Sequence, residues 1–414
     1  MTYKSHLIRH FNDRGYIHQA TNIVDLDVLA ARHIIPSYIG FDCTADSLHV
    51  GSLVQIMMLR ILQKNGHKPI VLMGGGTTKV GDPSGKDTAR PLLSDHEIKT
   101  NKNGIKRVFE KYLTFGDGPS DALMVDNADW LDSLCYVRFL RDYGPHFSIN
   151  RMMGMESVKL RLDRQQPLSF LEFNYAILQA YDFLELRRRY GCQLQIGGSD
   201  QWGNILTGID LTRRVDRQEI YGLTSPLITT SSGAKMGKST RGAIWLNDEK
   251  YSSFDFWQFW RNTEDSDVQR FLGLFTELPM DEVLRLGALK GAEINDAKII
   301  LANEATRLCH GIDAANKARV TAQATFDDRG IGEGLHQVII TDEVAASLSV
   351  VTALTMVGFV KSNGEARRLI RGGGARINDN LIDREDAIIR HADFNQNRIK
   401  VSAGKKRHAL IIIE

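Results

Sequence analysis

The chain is poor in cysteine and has no long apolar segment. Its four cysteines stand far apart in 414 residues without a CxxC pair, which argues against a zinc site and gives no support to a disulfide framework. The longest apolar run, LSVVTALTMVGFV, is shorter than the roughly 18 residues of a membrane span, and the first residues lack the apolar core of a signal peptide. These absences favour a cytoplasmic globular protein, and the length favours two or three domains.

Charge is distributed unevenly along the chain. Residues 345–414 hold 12 lysines and arginines against 7 acidic residues, whereas the preceding 344 residues hold 40 against 43. A basic tail on a nearly neutral body suggests an appended module that binds a polyanion. The alternative is a basic face that is merely solvated.

Hydrophobic patterning predicts three modules. Residues 36–90 read as strand (YIGFDC), helix (SLVQIMMLRILQKNG, ending at Gly66), strand (KPIVLMGGG) and glycine-rich loop. This order implies a parallel sheet with a right-handed crossover. Further strand-like runs, LMVDNA, CQLQIGG and PLITT, extend the α/β domain over residues 1–247. Amphipathic helices follow over 248–330. After a linker at FDDRGIGEG, residues 331–414 read as a small α+β domain with a helix at SNGEARRLIRGGG and strands at ARIND and RIKVS.

Two short stretches have the composition of phosphate-binding elements. HVGS places His49 and Gly51 where a strand turns into a helix, and a helix N-terminus offers unpaired N–H groups to a phosphate. SSGAKMGKST carries Lys235 and Lys238 among small residues, a composition that suits a cationic clamp on a leaving pyrophosphate. Taken singly, the first also reads as an ordinary turn and the second as a solvated loop.

A polar stripe is predicted on the helix EFNYAILQAYDF. Tyr175, Gln179 and Asp182 are spaced at i, i+4 and i+7 and therefore share one helix face. Asp182 could accept a hydrogen bond from a phenol hydroxyl, and Tyr38 on the first strand could supply a second partner. A capped amphipathic helix with one polar side is the plainer alternative.

In combination, these motifs resemble the class I aminoacyl-tRNA synthetases, whose HxGH and KMSKS elements stand here as HVGS and KMGKS. The stretches YIGFDCTADSLHVG, GDPSGKDTAR, FNYAILQAYDF and QIGGSDQWGN are similar to the bacterial type of tyrosyl-tRNA synthetase, and the resemblance extends over the whole chain. It implies a Rossmann-like catalytic domain, a helical anticodon-binding domain and a C-terminal domain like that of a ribosomal small-subunit protein. Tyrosine, ATP with Mg²⁺ and tRNA(Tyr) are the implied substrates, and the family is homodimeric, with Phe170 as an implied interface residue.

The resemblance also implies roles for individual residues. Asp82, Tyr175 and Gln179 would hold the ammonium group of tyrosine, Gln201 its carboxylate, and Tyr38, Asp182 and Gln195 would complete its pocket. Gly40, Asp42, Gly51, Ser52, Gly198 and Asp200 would contact ATP. The phosphates would be surrounded by Thr44, His49, Lys86, Arg90, Lys235 and Lys238. Arg367, Arg368 and Arg371 would contact RNA, and no metal site built from protein ligands is predicted.

One position departs from the family pattern. Ser52 stands where the second histidine of HxGH is usual. A hydroxyl at a helix start can cap the backbone and still contact a nucleotide, but it cannot carry positive charge. Three other functions remain open: a tryptophanyl-type synthetase, a small-metabolite nucleotidyltransferase, and a non-catalytic RNA-binding protein descended from a synthetase. The first is disfavoured by the Tyr38 and Asp182 pair and by the RNA-binding tail.

Overall fold

The computed structural model describes residues 3–84, 92–231, 233, 236–239, 242–326, 335–395, 397–404 and 407–414. They form two compact units. Unit 1 comprises Met1–Tyr251 with Phe259–Gly311, and unit 2 comprises Ser252–Gln258 with Ile312–Glu414. Most of the helical residues therefore belong to the same unit as the α/β residues. The domain boundaries at 247 and 330 stay predictions, and the linker FDDRGIGEG lies almost wholly outside the described residues.

The centre of unit 1 is a six-stranded sheet with the order β1-β6-β5-β2-β3-β4. All neighbours are parallel except β1, which pairs antiparallel with β6 at one edge. The predicted parallel sheet is thus confirmed. The strands are β1 (Gln19–Ala20), β2 (Pro36–Asp42), β3 (Lys68–Gly74), β4 (Leu123–Asp126), β5 (Leu194–Gly198) and β6 (Tyr221–Ser225), and a separate hairpin is formed by β7 (Lys238–Ser239) and β8 (Gly242–Ala243).

Helices connect these strands and complete unit 1. They are α1 (His6–Asp13), α2 (Ile23–Arg32), α3 (Leu53–Lys64), α4 (Asp95–Tyr112), α5 (Ala128–Leu131), α6 (Tyr136–Tyr143), α7 (Ile149–Met153), α8 (Glu156–Asp163), α9 (Phe170–Phe173), α10 (Tyr175–Tyr190), α11 (Trp202–Asp216), α12 (Ser253–Arg261, divided between the units), α13 (Val268–Phe275), α14 (Met280–Gly287) and α15 (Ile294–His310). No described helix is long and apolar enough to cross a membrane.

Chain order reverses at the middle of the sheet. From β2 the chain proceeds through α3 to β3 on one side, whereas β5 pairs with the other side of β2. In open parallel sheets, the loops at the carboxyl ends of two such strands diverge and leave a crevice. The HVGS turn follows β2 and the GGSDQ loop follows β5, so both lie at this crevice.

The predicted strand PLITT is wrong. The last strand of the sheet is β6, Tyr221–Ser225, and the chain leaves the sheet at the residue that follows it, Pro226. The neighbouring strand β5 ends opposite Ser225, at Gly198, and Pro226 has no N–H with which to extend the ladder. The apolar and β-branched composition of the run was the misleading signal.

Unit 2 is built around a five-stranded sheet of order β11-β10-β12-β13-β9. Only β9 and β13 are parallel within it. Its elements are α16 (Ile312–Phe326), β9 (His336–Ile340), α17 (Asp342–Ala345), α18 (Val350–Met356), α19 (Asn363–Arg371), β10 (Ala375–Ile377), β11 (Asn380–Leu381), β12 (Arg398–Ala403) and β13 (Arg407–Ile413). Apolar side chains of α18, α19, β10, β12 and β13 form one core. The helix at SNGEARRLIRGGG and the strands at ARIND and RIKVS are confirmed, whereas β9, β11 and β13 were not predicted.

A close helix contact holds the loop between β2 and the HVGS turn. Gly104 of α4 is buried against the backbone carbonyl of Asp46, and a Cβ at this position would overlap that carbonyl. One turn earlier on the helix, the amide of Asn101 donates to the carbonyl of Cys43 at 2.8 Å. Helix α4 therefore fixes the path of the chain through this loop.

We predict that Gly104→Ala destabilises the fold by about 1–3 kcal/mol, because the added methyl group has no space and the backbone of the loop must move. The neighbouring exposed residue provides the control: Asn103→Ala should change stability by less than about 0.5 kcal/mol. Urea denaturation of both variants measures the difference. Equal stability of the two would contradict the close contact.

Candidate active site

A cavity of about 740 Å³ lies at the carboxyl ends of β2 and β5. Asn127 after β4 and Trp245 also line it. It brings together the following sequence-predicted residues: Tyr38, Gly40, Asp42, Thr44, His49, Gly51, Ser52, Asp82, Tyr175, Gln179, Asp182, Gln195, Gly198, Asp200 and Gln201. Lys86, Arg90 and Lys235 lie outside the described residues, as does the side chain of Lys238. Arg367, Arg368 and Arg371 lie on α19 of unit 2.

The inner end of the cavity is built around a buried carboxylate. Asp182, on α10, is 2% exposed and accepts hydrogen bonds from Asn127 Nδ2 at 2.9 Å and from Trp130 Nε1 at 2.8 Å. Burial disfavours the charged form and raises the pKa of Asp182 to about 7, although the two hydrogen bonds act in the opposite direction. A carboxylate so placed has acceptor capacity left for one more donor.

Two further polar atoms at this end have no hydrogen-bond partner among the described residues. They are the hydroxyl of Tyr38, which is 1% exposed, and Oε1 of Gln195, which is 3% exposed. Burial also raises the pKa of the Tyr38 hydroxyl, and the nearby charge of Asp182 adds to this effect. Buried polar groups are rarely left unpaired, because desolvation without a partner is costly. Both atoms line the cavity, so a bound molecule with polar atoms at this end would satisfy them.

Two carboxylates occupy the middle of the cavity. Asp42 accepts hydrogen bonds from the hydroxyl of Tyr175 at 3.1 Å and from Thr77 Oγ1 at 2.8 Å. Asp82 accepts from Gln201 Nε2 at 2.9 Å. Burial, followed by the charges of Asp42 and Asp82, raises the pKa of the Tyr175 hydroxyl well above its usual range. This concentration of negative charge favours a cationic group in the bound molecule.

A chain of amides lies beside these carboxylates. Nε2 of Gln179 donates to Oε1 of Gln201 at 3.3 Å, and Oε1 of Gln179 accepts from Nδ2 of Asn204 at 2.9 Å. The predicted stripe on α10 is confirmed in its geometry, since Tyr175, Gln179 and Asp182 all line the cavity. Helix α10 ends at Gly191, whose φ of 66° gives the left-handed cap that stops a helix.

The HVGS turn supplies a fixed imidazole at the other end. Nδ1 of His49 accepts the backbone N–H of Gly51 at 2.9 Å, so the neutral ring carries its proton on Nε2. Val50–Ser52 form a 3₁₀ turn that leads directly into α3. Ser52 makes no side-chain cap, contrary to the capping role that its hydroxyl suggested, because His49 caps this turn instead.

Three residues of the site were not predicted from the sequence: Thr77, Asn127 and Trp130. Thr77 and Asn127 hydrogen-bond each other at 3.0 Å, and Asn127 and Trp130 hold Asp182. All three follow strands that the sequence did predict, in the segments GGGTTK after β3 and DNADW after β4. Polar residues at the carboxyl ends of parallel strands were therefore the available signal.

The fold and the site define the class of protein. The family model for class I tRNA synthetases specific for tryptophan and tyrosine matches residues 31–327. The chain belongs to this family, and within it to the tyrosine–tRNA ligases. Similar curated tyrosine–tRNA ligases include those of Zymomonas mobilis subsp. mobilis, 60% identical over 99% of this chain and 98% of the relative, and of Rhodospirillum rubrum, 58% identical with the same coverage.

Solved structures agree with this assignment. A C-terminally truncated mitochondrial tyrosyl-tRNA synthetase of Aspergillus nidulans is 30% identical, with a TM-score of 0.69 over 77% of this chain and 94% of that one. The tyrosyl-tRNA synthetase of Archaeoglobus fulgidus, 18% identical with a TM-score of 0.55 over 76% of this chain and 99% of that one, shares the fold. The predicted fold class and enzyme class are confirmed.

We predict that tyrosine binds about tenfold more tightly at pH 8 than at pH 6. The carboxyl group of Asp182 has a pKa of about 7 in the free protein, so it is protonated at the lower pH and ionised at the higher one. The ionised form makes the stronger hydrogen bond to a phenol. At pH 6, one unit below the pKa, only about one tenth of the carboxyl groups are ionised, so the affinity for tyrosine falls about tenfold. Equilibrium tyrosine binding without ATP measures this. Asp182→Asn is expected to abolish the pH dependence. A flat pH profile for the unmodified protein would contradict a hydrogen bond between tyrosine and the Asp182 carboxylate.

Proposed function

We propose that the cavity binds tyrosine with its phenol at the inner end and activates it with ATP. The observation that carries the proposal is the polar lining there: the carboxylate of Asp182 with spare acceptor capacity, beside the unpartnered hydroxyl of Tyr38 and carbonyl oxygen of Gln195. The hydroxyl of tyrosine donates its one proton to Asp182 and accepts from the hydroxyl of Tyr38, whereas phenylalanine leaves both groups without this partner. Tyrosyl-tRNA synthetases are the reference case for this kind of discrimination.

The ammonium group of tyrosine then meets Asp82, Tyr175 and Gln179, and its carboxylate meets Gln201. The hydrogen bond from Gln201 to Asp82, at 2.9 Å, supports this arrangement because it joins the groups proposed for the two charged ends of the amino acid. Asp42 adds negative charge beside the ammonium. The amino acid thus lies along the cavity with its carboxylate toward the HVGS turn.

ATP occupies the outer part of the cavity. Its ribose meets Gly198 and Asp200 in the GGSDQ loop, where a carboxylate accepts from hydroxyl groups, and Gly40 lies on the strand beneath. Its phosphates meet Thr44 and Nε2 of His49, together with Lys86, Arg90, Lys235 and Lys238. Magnesium enters with ATP as part of the substrate. The described residues contain no group of three or more His, Cys, Asp or Glu placed to hold a metal ion.

The chemistry needs no protein nucleophile. The tyrosine carboxylate attacks the α-phosphorus, pyrophosphate leaves, and tyrosyl-adenylate remains bound. A ribose hydroxyl at the 3′ end of tRNA(Tyr) then attacks the carbonyl carbon and releases AMP. The protein contributes position and electrostatics: donors aimed at the phosphate that gains charge lower the barrier only in the transition state.

The proposed assembly is a cytoplasmic homodimer that contacts tRNA through the helical residues 248–330 and through unit 2. Large apolar side chains on α6 to α9 support the dimer: Phe170 is 70% exposed and Val137 72% exposed, and Tyr136, Ile149 and Leu171 are also exposed. Contiguous apolar side chains at the surface mark interaction sites. Arg367, Arg368 and Arg371 on α19 are proposed to meet RNA phosphates.

Amino-acid-dependent exchange of pyrophosphate into ATP tests the proposed function. Tyrosine should support exchange, and tryptophan and phenylalanine should not. Tyr38→Phe should reduce the preference for tyrosine over phenylalanine by about tenfold, because it removes one hydrogen bond to the phenol and one polar group that phenylalanine would leave unpaired. Exchange driven by tryptophan, or by none of the three amino acids, would refute the proposal.

A second prediction concerns RNA binding. Within unit 2, Glu385 pairs with Arg371 at 2.5 Å and lies 3.9 Å from Arg367, so it competes with phosphates for two of the three arginines. Glu385→Gln should therefore bind tRNA about two- to fivefold more tightly at low salt and show a steeper salt dependence. Asp386→Asn is the control, since Asp386 pairs with Arg384 outside α19. Filter binding at several salt concentrations measures both, and equal effects of the two changes would contradict the role of Glu385.

A further inference from the structure

A short segment lies between the HVGS turn and the KMGKS stretch and hydrogen-bonds to both. This segment, Ile244–Leu246, is called the strap below. On one side, the N–H of Val50 donates to the first carbonyl of the strap at 2.9 Å, and the last N–H of the strap donates to the carbonyl of Leu48 at 2.9 Å. On the other side, the first N–H of the strap donates to the carbonyl of Gly237 at 3.1 Å. The strap thus joins two elements that are about 185 residues apart in sequence.

The two joined elements also touch each other directly. Gly237 has a φ of +104°, and a Cβ at this position would lie 2.8 Å from the backbone nitrogen of Gly51 and 2.8 Å from Nδ1 of His49. In the reverse direction, a Cβ on Gly51 would lie 3.1 Å from the carbonyl oxygen of Met236. Only glycine satisfies both the backbone conformation and the close approach at residue 237.

The middle residue of the strap packs on the imidazole. Trp245 is the bridge partner of His49, and the two rings meet edge to face with their centroids 6.2 Å apart. Nζ of Lys250 lies over the indole ring, 5.1 Å from its centroid, and Lys250 pairs with Asp46 in the loop before the HVGS turn. The indole therefore contacts both the imidazole and a cation that pairs with the same loop.

Side chains of two helices also hydrogen-bond to the strap. The carbonyl oxygen of Leu246 accepts from Nζ of Lys111 at 2.9 Å and from Sγ of Cys309 at 3.3 Å. Lys111 is at the end of α4, the helix whose Gly104 packs against Asp46. Ile244 and Leu246 are both almost fully buried. These contacts leave the strap little freedom to move independently of the sheet.

We propose that Trp245 is a positioning residue for adenylate formation: through the strap it holds the imidazole of His49 and the backbone of Gly237 in register at the phosphate end of the cavity. The inference rests on the proposed function, in which Nε2 of His49 donates to a phosphate. Because Nδ1 of His49 accepts from Gly51, the direction of Nε2 depends on the plane of the ring, and the indole of Trp245 packs against that ring. The tyrosine-binding residues make no hydrogen bond to the strap among the described contacts.

Replacement of the indole tests this inference. Trp245→Ala should lower the single-turnover rate constant for adenylate formation by about 10- to 100-fold at saturating tyrosine, while the tyrosine Kd measured without ATP stays within about twofold. Trp245→Phe keeps an aromatic ring beside the imidazole and should recover most of the rate constant for adenylate formation. A parallel loss of rate and tyrosine affinity in Trp245→Ala, or equal rates in the alanine and phenylalanine variants, would overturn the proposal.

A pair of glycine variants distinguishes the effect of the contact between Gly237 and the HVGS turn from the effect of backbone strain. Gly237→Ala and Gly242→Ala both place alanine at a positive φ, +104° and +117°, but only the first Cβ meets His49 and Gly51, since the second has nothing within 4 Å. Both variants should lose thermal stability because alanine is strained at a positive φ, and Gly237→Ala should lose more because its Cβ also meets the backbone of Gly51. Only Gly237→Ala should lose adenylate formation, by about 100-fold, with an unchanged tyrosine Kd. Equal rates in the two variants would overturn the inference.

The same assay distinguishes failure of the inference from failure of the proposed function. The unmodified protein must first form adenylate with tyrosine and ATP. If it does not, the proposed function is wrong and the inference is overturned with it. If it does, and the Trp245 and Gly237 variants keep its rate, only the positioning inference is overturned.

Discussion

The reversal of strand order between β2 and β5 is the constraint on which the rest of the structure depends. Two parallel strands side by side send their connections to opposite sides of the sheet, so a crevice opens at their carboxyl ends. The HVGS turn and the GGSDQ loop face each other across it because each directly follows one of these strands. Helix α10 then places its polar stripe along the floor of the same crevice.

The buried carboxylate of Asp182 is the main polar group at the inner end of this cavity. Burial opposes its ionisation, and two neutral donors on Asn127 and Trp130 offset only part of this effect, which leaves a pKa near 7. An apolar residue at this position would favour folding more. The polar group is retained at a cost to stability, and the unpartnered hydroxyl of Tyr38 adds to that cost. Under the proposed function, both costs decrease when the phenol of tyrosine binds, so the groups that weaken the free protein favour the bound state.

Sequence patterns identified those parts of the site that depend on short-range regularity. The i, i+4, i+7 spacing placed Tyr175 and Asp182 on one face because a helix enforces that geometry over seven residues. Asn127 and Trp130 escaped detection because their role depends on a contact with a helix more than 50 residues away, which no local period encodes. PLITT was predicted as a strand because its composition favours one, whereas the ladder with β5 ends at Ser225 and Pro226 has no N–H to extend it. The strap was not predicted either, because its hydrogen bonds are made by backbone groups, which give no pattern in the sequence.

The two ends of the cavity are therefore formed by different kinds of group. At the inner end, the buried carboxylate of Asp182 accepts hydrogen bonds from Asn127 and Trp130, so the shape of this end depends on packing within unit 1. At the outer end, the strap joins the HVGS turn to Gly237, and the ring of His49 is oriented by its contacts with Gly51 and Trp245. Under the proposed function, recognition of tyrosine and stabilisation of the reacting phosphate rest on separate sets of contacts. Because coupling between residues weakens when they share no partners, the two proposals assign separate effects: the strap acts on the rate of activation, and Asp182 and Tyr38 act on the choice of amino acid.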